Sequence, residues 1–580
     1  MCGIAGIFDK NSEDLSEDIQ QMTDVLKHRG PDGQGVWNNR EDGIWLGHRR
    51  LSILDLSENG KQPMHYLNRY TITFNGEIYN YIEIKKELVE SGYHFHSETD
   101  TEVLLALYDY RGNKCLEYLD GMFAFAIWDS QLKKLFCARD RFGEKPFYYY
   151  YKNNRFYFSS EMKALWKVGV PKKLKPTRVA DFLTNSRIFD INDPSGTFYE
   201  DIYQLQNGFY LELDSHSFRI NLNRYYQLKA IKNSTISWEE AKETFFKLFK
   251  SSIEKRLRSD VPVGTGLSGG MDSSSIVAMI STINSGKVTQ NTFSARFEGF
   301  EKDEGKFINA VLERYPNIKH YNVWPTREDF EDVVDKMVYH QEEPFGSASI
   351  YAQWKVMETV GNTDVKVLLD GQGADETLAG YLYYYSRKLY YLFNTDHSTY
   401  KSERNGYYHL RKSKVPFQNL ESTKTKIGGW LKRRINYKIK KIVDLDELLL
   451  ADSFKGSLQE LLRYGDRNSM AHSVEARAPF LSHHLVEFVF SLPDEFKLYK
   501  GWTKYLLRSS MENYLPEDII WRIDKIAYET PQADWLKKSK QSINQNKVKQ
   551  YLNDSGIIDN HLLTDNSSNW KLFVLSRFIK

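Results

Sequence analysis

Cysteine is scarce in this chain: Cys2, Cys115 and Cys137 are the only three in 580 residues. Three thiols cannot build a disulfide framework, and no CxxC pair offers a zinc-binding spacing. A reducing cytoplasm is the expected compartment. Long apolar runs are missing too. The longest, such as "MFAFAIW", fall far short of the roughly 20 residues a membrane-spanning helix needs. No basic segment followed by an apolar run opens the chain, so a secretory signal is not expected. An excess of charge of one sign is also lacking. Lys and Arg total 79 against 77 Asp and Glu, a net +2, which gives no global reason to expect a nucleic acid or a membrane surface as partner. No internal repeat and no low-complexity tract is visible.

What the chain does have is length and aromatic mass. At 580 residues it is too long for one hydrophobic core, so two or more domains are expected. Residues 2 to 213 are read as one domain, 214 to 239 as a polar junction, and 240 to 580 as a second domain. The first is strand-rich. "CGIAGIF", "YTITFNGEIYN", "GMFAFAIWD", "KLFCARD" and "RFYFSSE" are short β-prone runs bounded by Gly, Asn, Asp or Lys. Helical patterns lie between them, as in "DTEVLLALYDYRG", where Asp100 or Thr101 can cap the start and Gly112 ends the run. The expectation is a layered α+β domain. In the second, helix and strand alternate ("WEEAKETFFKLFKSSIEKRL", "VPVGTGLSGG", "SSSIVAMISTI", "TFSARF", "VKVLLDG"), which predicts a parallel sheet with helices on both faces. Residues 385 to 475 read as mostly helical.

The stretch "GTGLSGGMDSSS" is the first that carries chemistry. Ser268, Gly269 and Gly270 follow an extended segment, and a helix begins near Asp272 or Ser273. Glycines let backbone approach an anion closely, and the turn's N–H groups, backed by a helix N-terminus, then face a phosphate. Ser268, Ser273 and Ser274 add hydroxyl donors. An aspartate beside a phosphate repels it unless a cation intervenes, so Asp272 points to Mg²⁺. The turn has neither the GxxxxGK[ST] of a P-loop nor the GxGxxG of a dinucleotide fold. A second strand-to-turn segment, "VLLDGQGADETLAGY" (Val367 to Tyr381), again carries acids. Asp375 and Glu376 are placed to share a metal with Asp272. At the other end, "MCGIAGIF" makes Cys2 the N-terminal residue once Met1 is removed. A thiol beside its own α-amine is a nucleophile with a built-in base.

SGGxDS after a strand resembles the pyrophosphate loop of the N-type ATP pyrophosphatases. Cys2 followed in order by "RGPDG", "HRRLSI", "FNGEIYN" and "ETDTEVLLALY" resembles the class II, N-terminal-nucleophile glutamine amidotransferases. Together, with "ARDRFGEKPFYY", "VEARAPFL" and "GWTKYLLR", the chain resembles the glutamine-hydrolysing asparagine synthetases over nearly its whole length. The fold this implies is an αββα N-terminal-nucleophile domain, then an α/β parallel-sheet ATP-pyrophosphatase domain with a helical C-terminal portion.

The resemblance also implies roles. Cys2 attacks the side-chain amide of glutamine. Asn75 and the backbone N–H of Gly76 form the oxyanion hole. Arg50 grips the glutamine carboxylate, and Glu77 and Asp100 lie near its α-amine. Ser268 to Ser274 hold pyrophosphate, Leu267 and Gly371 surround the adenosine, and Arg477 lies near the phosphates. Asp272 and Asp375 hold Mg²⁺, and Lys504 neutralises phosphate charge as ATP adenylates a carboxylate. Gln372 and Glu376 lie near the acceptor, with aspartate as the default. A cytoplasmic homodimer is the family's expectation, and ammonia is expected to travel through an internal channel.

One departure stands out. The family's typical SGEGSDE reads "DGQGADE" here. Gln372 stands where a glutamate takes a proton from attacking ammonia, and an amide cannot serve as a general base. Asp370 replaces the serine. "EEPFGSASIYAQW" and "RIDKIAYETPQADWL" resemble a subgroup associated with amidation of sugar acids in surface polysaccharides, so a uronic acid is the alternative acceptor. A ring-closing synthetase that dispenses with ammonia would have no use for the set Cys2, Asn75, Gly76 and Asp100. A non-catalytic binding protein would have no use for SGGxDS and Lys504.

Overall fold

The computed structural model describes residues 1–10, 14–190, 192–412, 443–523, 530–532, 535, 545–556 and 568–579. The segment "RIDKIAYETPQADWL" therefore lies partly outside the described residues.

Two six-stranded sheets build the N-terminal half. One runs, in spatial order, Ile202–Gln204, Tyr148–Lys152, Arg155–Ser159, Gly3–Asp9, Ile44–Arg50 and Gly33–Asn39. The other runs Ile220–Arg224, Phe209–Asp214, Lys134–Arg139, Gly121–Asp129, Tyr70–Ile78 and Met64–Tyr66. Their facing sides make one core, in which Ile4, Phe8, Leu46, Trp128, Leu135 and Phe158 are excluded from water. Each such side chain contributes about 1.5–3 kcal/mol of burial free energy. The outer face of the second sheet is covered by the helices Tyr81–Glu90 and Asp100–Arg111, and that of the first by helices that include Ser16–Asp24. The result is the layered α+β domain that the strand-and-helix pattern predicts, in the αββα order that the family resemblance implies.

The expected junction needs one adjustment. Residues 220–224, "INLNR", read as polar linker, yet they pair antiparallel with Phe209–Asp214. They form an outer strand with little apolar surface to bury, the usual composition of a sheet edge. The helix Trp238–Arg256 then opens the second half, capped by Ser237.

The second half is built on five parallel strands in the order Ile318–Val323, Gln290–Ala295, Val263–Gly266, Val367–Leu369 and Glu475–Arg477. Helices cover both faces; of the stretch 385–475 expected to be mostly helical, Leu382–Thr395, His397–Arg411, Leu445–Lys455 and Ser457–Met470 are helices, and 413–442 lies outside the described residues. Both turns singled out in the sequence, after Gly266 and after Leu369, leave the carboxyl ends of adjacent strands, where open α/β sheets place their ligands. Among the described residues, no helix is long and apolar enough to cross a membrane.

Candidate active sites

Cys2 leads directly into the strand Gly3–Asp9, and that strand fixes its neighbours. Gly3 pairs with Arg49, so the loop after Arg50 folds over the thiol. The Cys2 Sγ lies 4.0 Å from the Leu51 carbonyl oxygen. Burial pushes the thiol's pKa up, against the nearby N-terminal charge. The Cys2 backbone N–H donates to Asn75 Oδ1 at 2.9 Å. Asn75 is wholly buried, and its Nδ2 has no partner. A buried amide donor without a partner thus belongs to the residue that holds the Cys2 nitrogen. Gly76 comes next. A Cβ there would meet the Met122 carbonyl oxygen at 2.1 Å, so this close strand approach excludes any side chain.

Asn75 and Glu77 share one face of the strand Tyr70–Ile78, and Tyr79 follows directly after it. Glu77 Oε1 and the Tyr79 hydroxyl are also buried and unpartnered. Burial drives the Glu77 carboxyl well above the usual carboxylate range, with Arg477 opposing. The Asp100 carboxylate accepts from the Ile78 N–H at 2.8 Å. Burial raises its pKa to about 7. Arg50 is aimed by the loop that follows it: its guanidinium donates to the carbonyl oxygens of Ser57 at 2.8 Å and of Leu54 and Asp55. Gly60 leaves it room, since a Cβ there would lie 1.9 Å from Nη2.

Two residues near this site carried no role in the sequence reading. Arg29, within "RGPDG", donates from Nε to the Cys2 carbonyl at 3.0 Å and is held by Glu161 and Asp466 at 2.8 Å. Met1 is buried, and its ammonium lies 2.8 Å from Glu475. Asp466 and Glu475 both come from the second half of the chain, so the thiol sits at the boundary between the halves.

The second site is a cavity of about 430 Å³ at the ends of the parallel strands. Leu267, Ser268, Gly270, Asp272, Ser273 and Gly371 line one side. The turn is braced internally: the Ser268 N–H donates to Ser273 Oγ at 3.1 Å, and the two hydroxyls lie 3.1 Å apart. Gly269 takes φ +75°, a left-handed conformation that favours glycine. Ser274 Oγ is buried without a partner. The Lys504 ammonium lies 2.6 Å from both Asp272 and Asp375. Burial works to lower the lysine's pKa, but the two carboxylates outweigh it and hold it above its ordinary value. Gly380 permits this approach, as a Cβ there would lie 2.2 Å from Lys504 Cε. Two carboxylates converging on one cationic atom beside a glycine turn are a hard-oxygen donor set that fits Mg²⁺.

The structure separates two residues from this group. Arg477 is buried, but its guanidinium points to the first site: Nη2 lies 3.3 Å from Glu77, and Nε donates to Glu475 at 2.6 Å. The arginines that do line the cavity are Arg411, Arg508 and Arg522. What turns Arg477 away is strand alternation. Arg477 and Glu475 share one face of their short strand, and that face meets the N-terminal half. Glu376, expected near metal and acceptor, is buried away from the cavity lining and accepts from the Tyr381 hydroxyl at 2.8 Å. Gln372 does line the cavity, and its side chain hydrogen-bonds the Asp370 carboxylate, as does Gln353. Burial raises the pKa of Asp370.

Comparison with known proteins agrees with this two-site architecture. Residues 1–226 match the glutamine amidotransferase domain model, and residues 244–571 match the asparagine synthase model. The chain belongs to the asparagine synthase family. It is 31% identical to asparagine synthetase (glutamine-hydrolyzing) 3 of Bacillus subtilis, over 98% of this chain and 94% of that one. It is likewise 31% identical to asparagine synthetase (glutamine-hydrolyzing) 1 of the same organism, over 97% and 92%. A third relative, the amidase chry2 of Gibberella zeae, is 26% identical over 92% and 90%.

Proposed function

We propose that this enzyme hydrolyses glutamine at Cys2 and spends ATP to convert a carboxylate acceptor into its amide, leaving glutamate, AMP and pyrophosphate. One observation carries the reading. The strand Glu475–Arg477 belongs to the sheet of the second site, yet delivers the side chains of Glu475 and Arg477 to the first. Two sites that share one strand can be run together.

In the first half-reaction, removal of Met1 frees the Cys2 amine, which takes the thiol proton. The thiolate attacks the glutamine amide carbon, with Asn75 Nδ2 and the Gly76 N–H donating to the oxyanion. The C–N bond breaks, ammonia leaves with the proton, and water cleaves the γ-glutamyl thioester. In the second, the acceptor carboxylate attacks the α-phosphorus of ATP, and pyrophosphate leaves into the turn of Ser268 to Ser274. Ammonia then forms the C–N bond at the acyl-adenylate, AMP departs with the C–O electron pair, and the nitrogen gives up one proton. Mg²⁺ bound by Asp272 and Asp375 would offset phosphate charge. Lys504 supplies a buried positive charge at the same place, and Leu267 and Gly371 flank the nucleotide.

Aspartate is the family's acceptor by name. The Asp370–Gln372 pair favours a second reading, in which the acceptor is a sugar acid. Gln353, Gln372 and Asp370 all line the cavity, and their amides and carboxylate offer donors and acceptors suited to hydroxyl groups. Purified protein given glutamine, ATP–Mg²⁺ and either aspartate or a panel of uronic acids and nucleotide uronates decides between them. Asparagine with stoichiometric AMP assigns aspartate; AMP released only with a uronate assigns the sugar acid. ADP as the nucleotide product would refute adenylation for both. A homodimer working in the cytoplasm completes the proposal, and light scattering tests the stoichiometry.

A further inference from the structure

The first site contains a charged side chain from the second half of the chain, and its geometry is unfinished. Arg477 is fully buried. Its Nη1 donates to the carbonyl oxygens of Arg256 and Arg258, both at 2.7 Å, and its Nε donates to Glu475 at 2.6 Å. The remaining corner, Nη2, lies 3.3 Å from Glu77 Oε2 with no hydrogen-bond partner. Across the gap, Glu77 Oε1 is buried and bare. A buried carboxylate with one oxygen facing a guanidinium and the other unoccupied has a vacancy for a second cationic donor. Glu77 stands two residues beyond Asn75 on one strand face, and Asn75 holds the nitrogen of Cys2. A cation at Glu77 therefore lies within reach of a molecule whose far end meets the Cys2 thiol. Glutamine has that form, with an amide at one end and an α-ammonium at the other.

We propose that Arg477 is a positioning residue of the glutamine site, holding Glu77 from across the boundary between the halves so that Oε1 receives the α-ammonium group of glutamine. The inference rests on the reading of Cys2 as the glutamine-attacking thiol. Arg477 is suited to this task because three of its nitrogens' contacts are fixed. Two backbone carbonyls and Glu475 pin the guanidinium plane, so its free corner has one direction. Burial works against charge on Glu77, Asp100 and Glu475 add to that, and Arg477 is the largest influence opposing it. Even with Arg477 opposing, burial keeps the Glu77 carboxyl well above the usual carboxylate range, so its charge depends on both the guanidinium and an arriving ammonium. A lysine at position 477 would keep the charge but lose the fork that holds both carbonyls. The main chain of Arg477 meanwhile accepts from the Asp370 N–H at 2.9 Å, so the residue that completes the first site is bonded to the wall of the second.

The test uses the full-length chain and four variants: Glu77→Gln, Arg477→Gln, Arg477→Lys and the double Glu77→Gln/Arg477→Gln. Glutamine hydrolysis and ammonium-driven synthesis are measured on each. Glu77→Gln and Arg477→Gln should each raise KM for glutamine by about tenfold or more while kcat changes by less than about threefold. The double variant should be no worse than the worse single, because the arginine acts through the glutamate. Arg477→Lys should fall between wild type and Arg477→Gln. An unchanged glutamine KM in either Arg477 variant overturns the proposal. So does a double variant whose KM effect is the product of the two singles, as two independent structural defects would give. If Arg477→Gln loses ammonium-driven synthesis as well, the protein has been damaged as a whole, and Arg477→Lys decides by the same criterion. Failure of the underlying reading is separately visible, as glutamine hydrolysis that survives Cys2→Ala.

Discussion

The two sites of this protein hold their charges in opposite ways. At the first, polar atoms are buried and left open: Asn75 Nδ2, Glu77 Oε1 and the Tyr79 hydroxyl have no partners. At the second, the main charges are already matched, with Lys504 shared between Asp272 and Asp375 at 2.6 Å. An open polar atom in a dry site costs roughly 1–3 kcal/mol until a ligand satisfies it, so the first site gains most from a small molecule that brings its own donors and acceptors. The second must exchange partners instead, because a metal–nucleotide has to compete with an existing ion pair. The contrast suits the two jobs. On the proposed reading, a preformed hole serves tetrahedral chemistry on an amide, whereas the shared lysine holds two carboxylates together until a phosphate arrives.

Removing the thiol should break the comparison most sharply. Cys2→Ala is expected to abolish glutamine-driven synthesis and to leave ammonium-driven synthesis near the wild-type rate, measured by AMP release with each nitrogen source. Loss of both would mean that the sites are not separable.

Next in size is Lys504→Met. It leaves two carboxylates facing each other with no counter-charge, and breaking a buried pair in this way costs about 3–5 kcal/mol. Acceptor-dependent exchange of pyrophosphate into ATP should fall by about a hundredfold or more, while glutamine hydrolysis continues. Mg²⁺ should raise the melting temperature of the variant more than that of wild type, since the ion replaces the missing charge. Equal shifts in both proteins would show that Asp272 and Asp375 do not bind the metal together.

A smaller effect comes from pH. Burial lifts Asp100 to about 7, with Glu475 adding to it and Arg477 opposing. If Asp100 faces the α-ammonium of glutamine, as the proposed reading has it, only its ionised form attracts that group, and KM for glutamine should rise as pH falls from 8 through about 7. Stability runs the other way. An acid whose folded pKa exceeds its unfolded value binds more protons when folded across the interval between them. Its protonation favours the fold below that interval, and the benefit is lost as pH rises through the folded pKa. Asp100→Asn should flatten the KM profile and raise stability above pH 7. A profile as steep in the variant as in wild type would assign the titration to another group.

Much of this was legible in the sequence, for reasons that particular residues make plain. The glycine turn at Ser268 to Gly270 and the terminal thiol are local devices, and local chemistry is written in neighbouring letters. Short, nearly continuous β-prone runs marked the central strands because both faces of Gly121–Asp129 and Gly3–Asp9 are buried. The strand Ile220–Arg224 escaped because an outer strand needs little apolar surface. Arg477 escaped because its role depends on which face of a three-residue strand meets the other half of the chain, and three residues are too few to show a period. Arg29 and Asp466, which meet at 2.8 Å, are 437 positions apart. No pattern within either segment announces the other, although "RGPDG" had marked the place.

The smallest expected effect concerns Gln372, and it tests whether the second site is as closed as its ion pairs make it. Gln372 and Gln353 both hydrogen-bond Asp370, and Asp272 adds a negative field there. Gln372→Glu would set a second carboxylate against Asp370 with only neutral groups between, so one of the two must stay protonated near neutral pH. Asp370→Ser/Gln372→Glu removes that conflict and restores the family's usual pair. The single variant should lose a few degrees of melting temperature, and the double should recover them; a destabilisation of about 1 kcal/mol corresponds to a shift of about 2–4 °C in a domain of 150–250 residues. If the single variant is as stable as wild type, Asp370 and Gln372 are not a coupled pair. The amide at 372 would then reflect the acceptor alone.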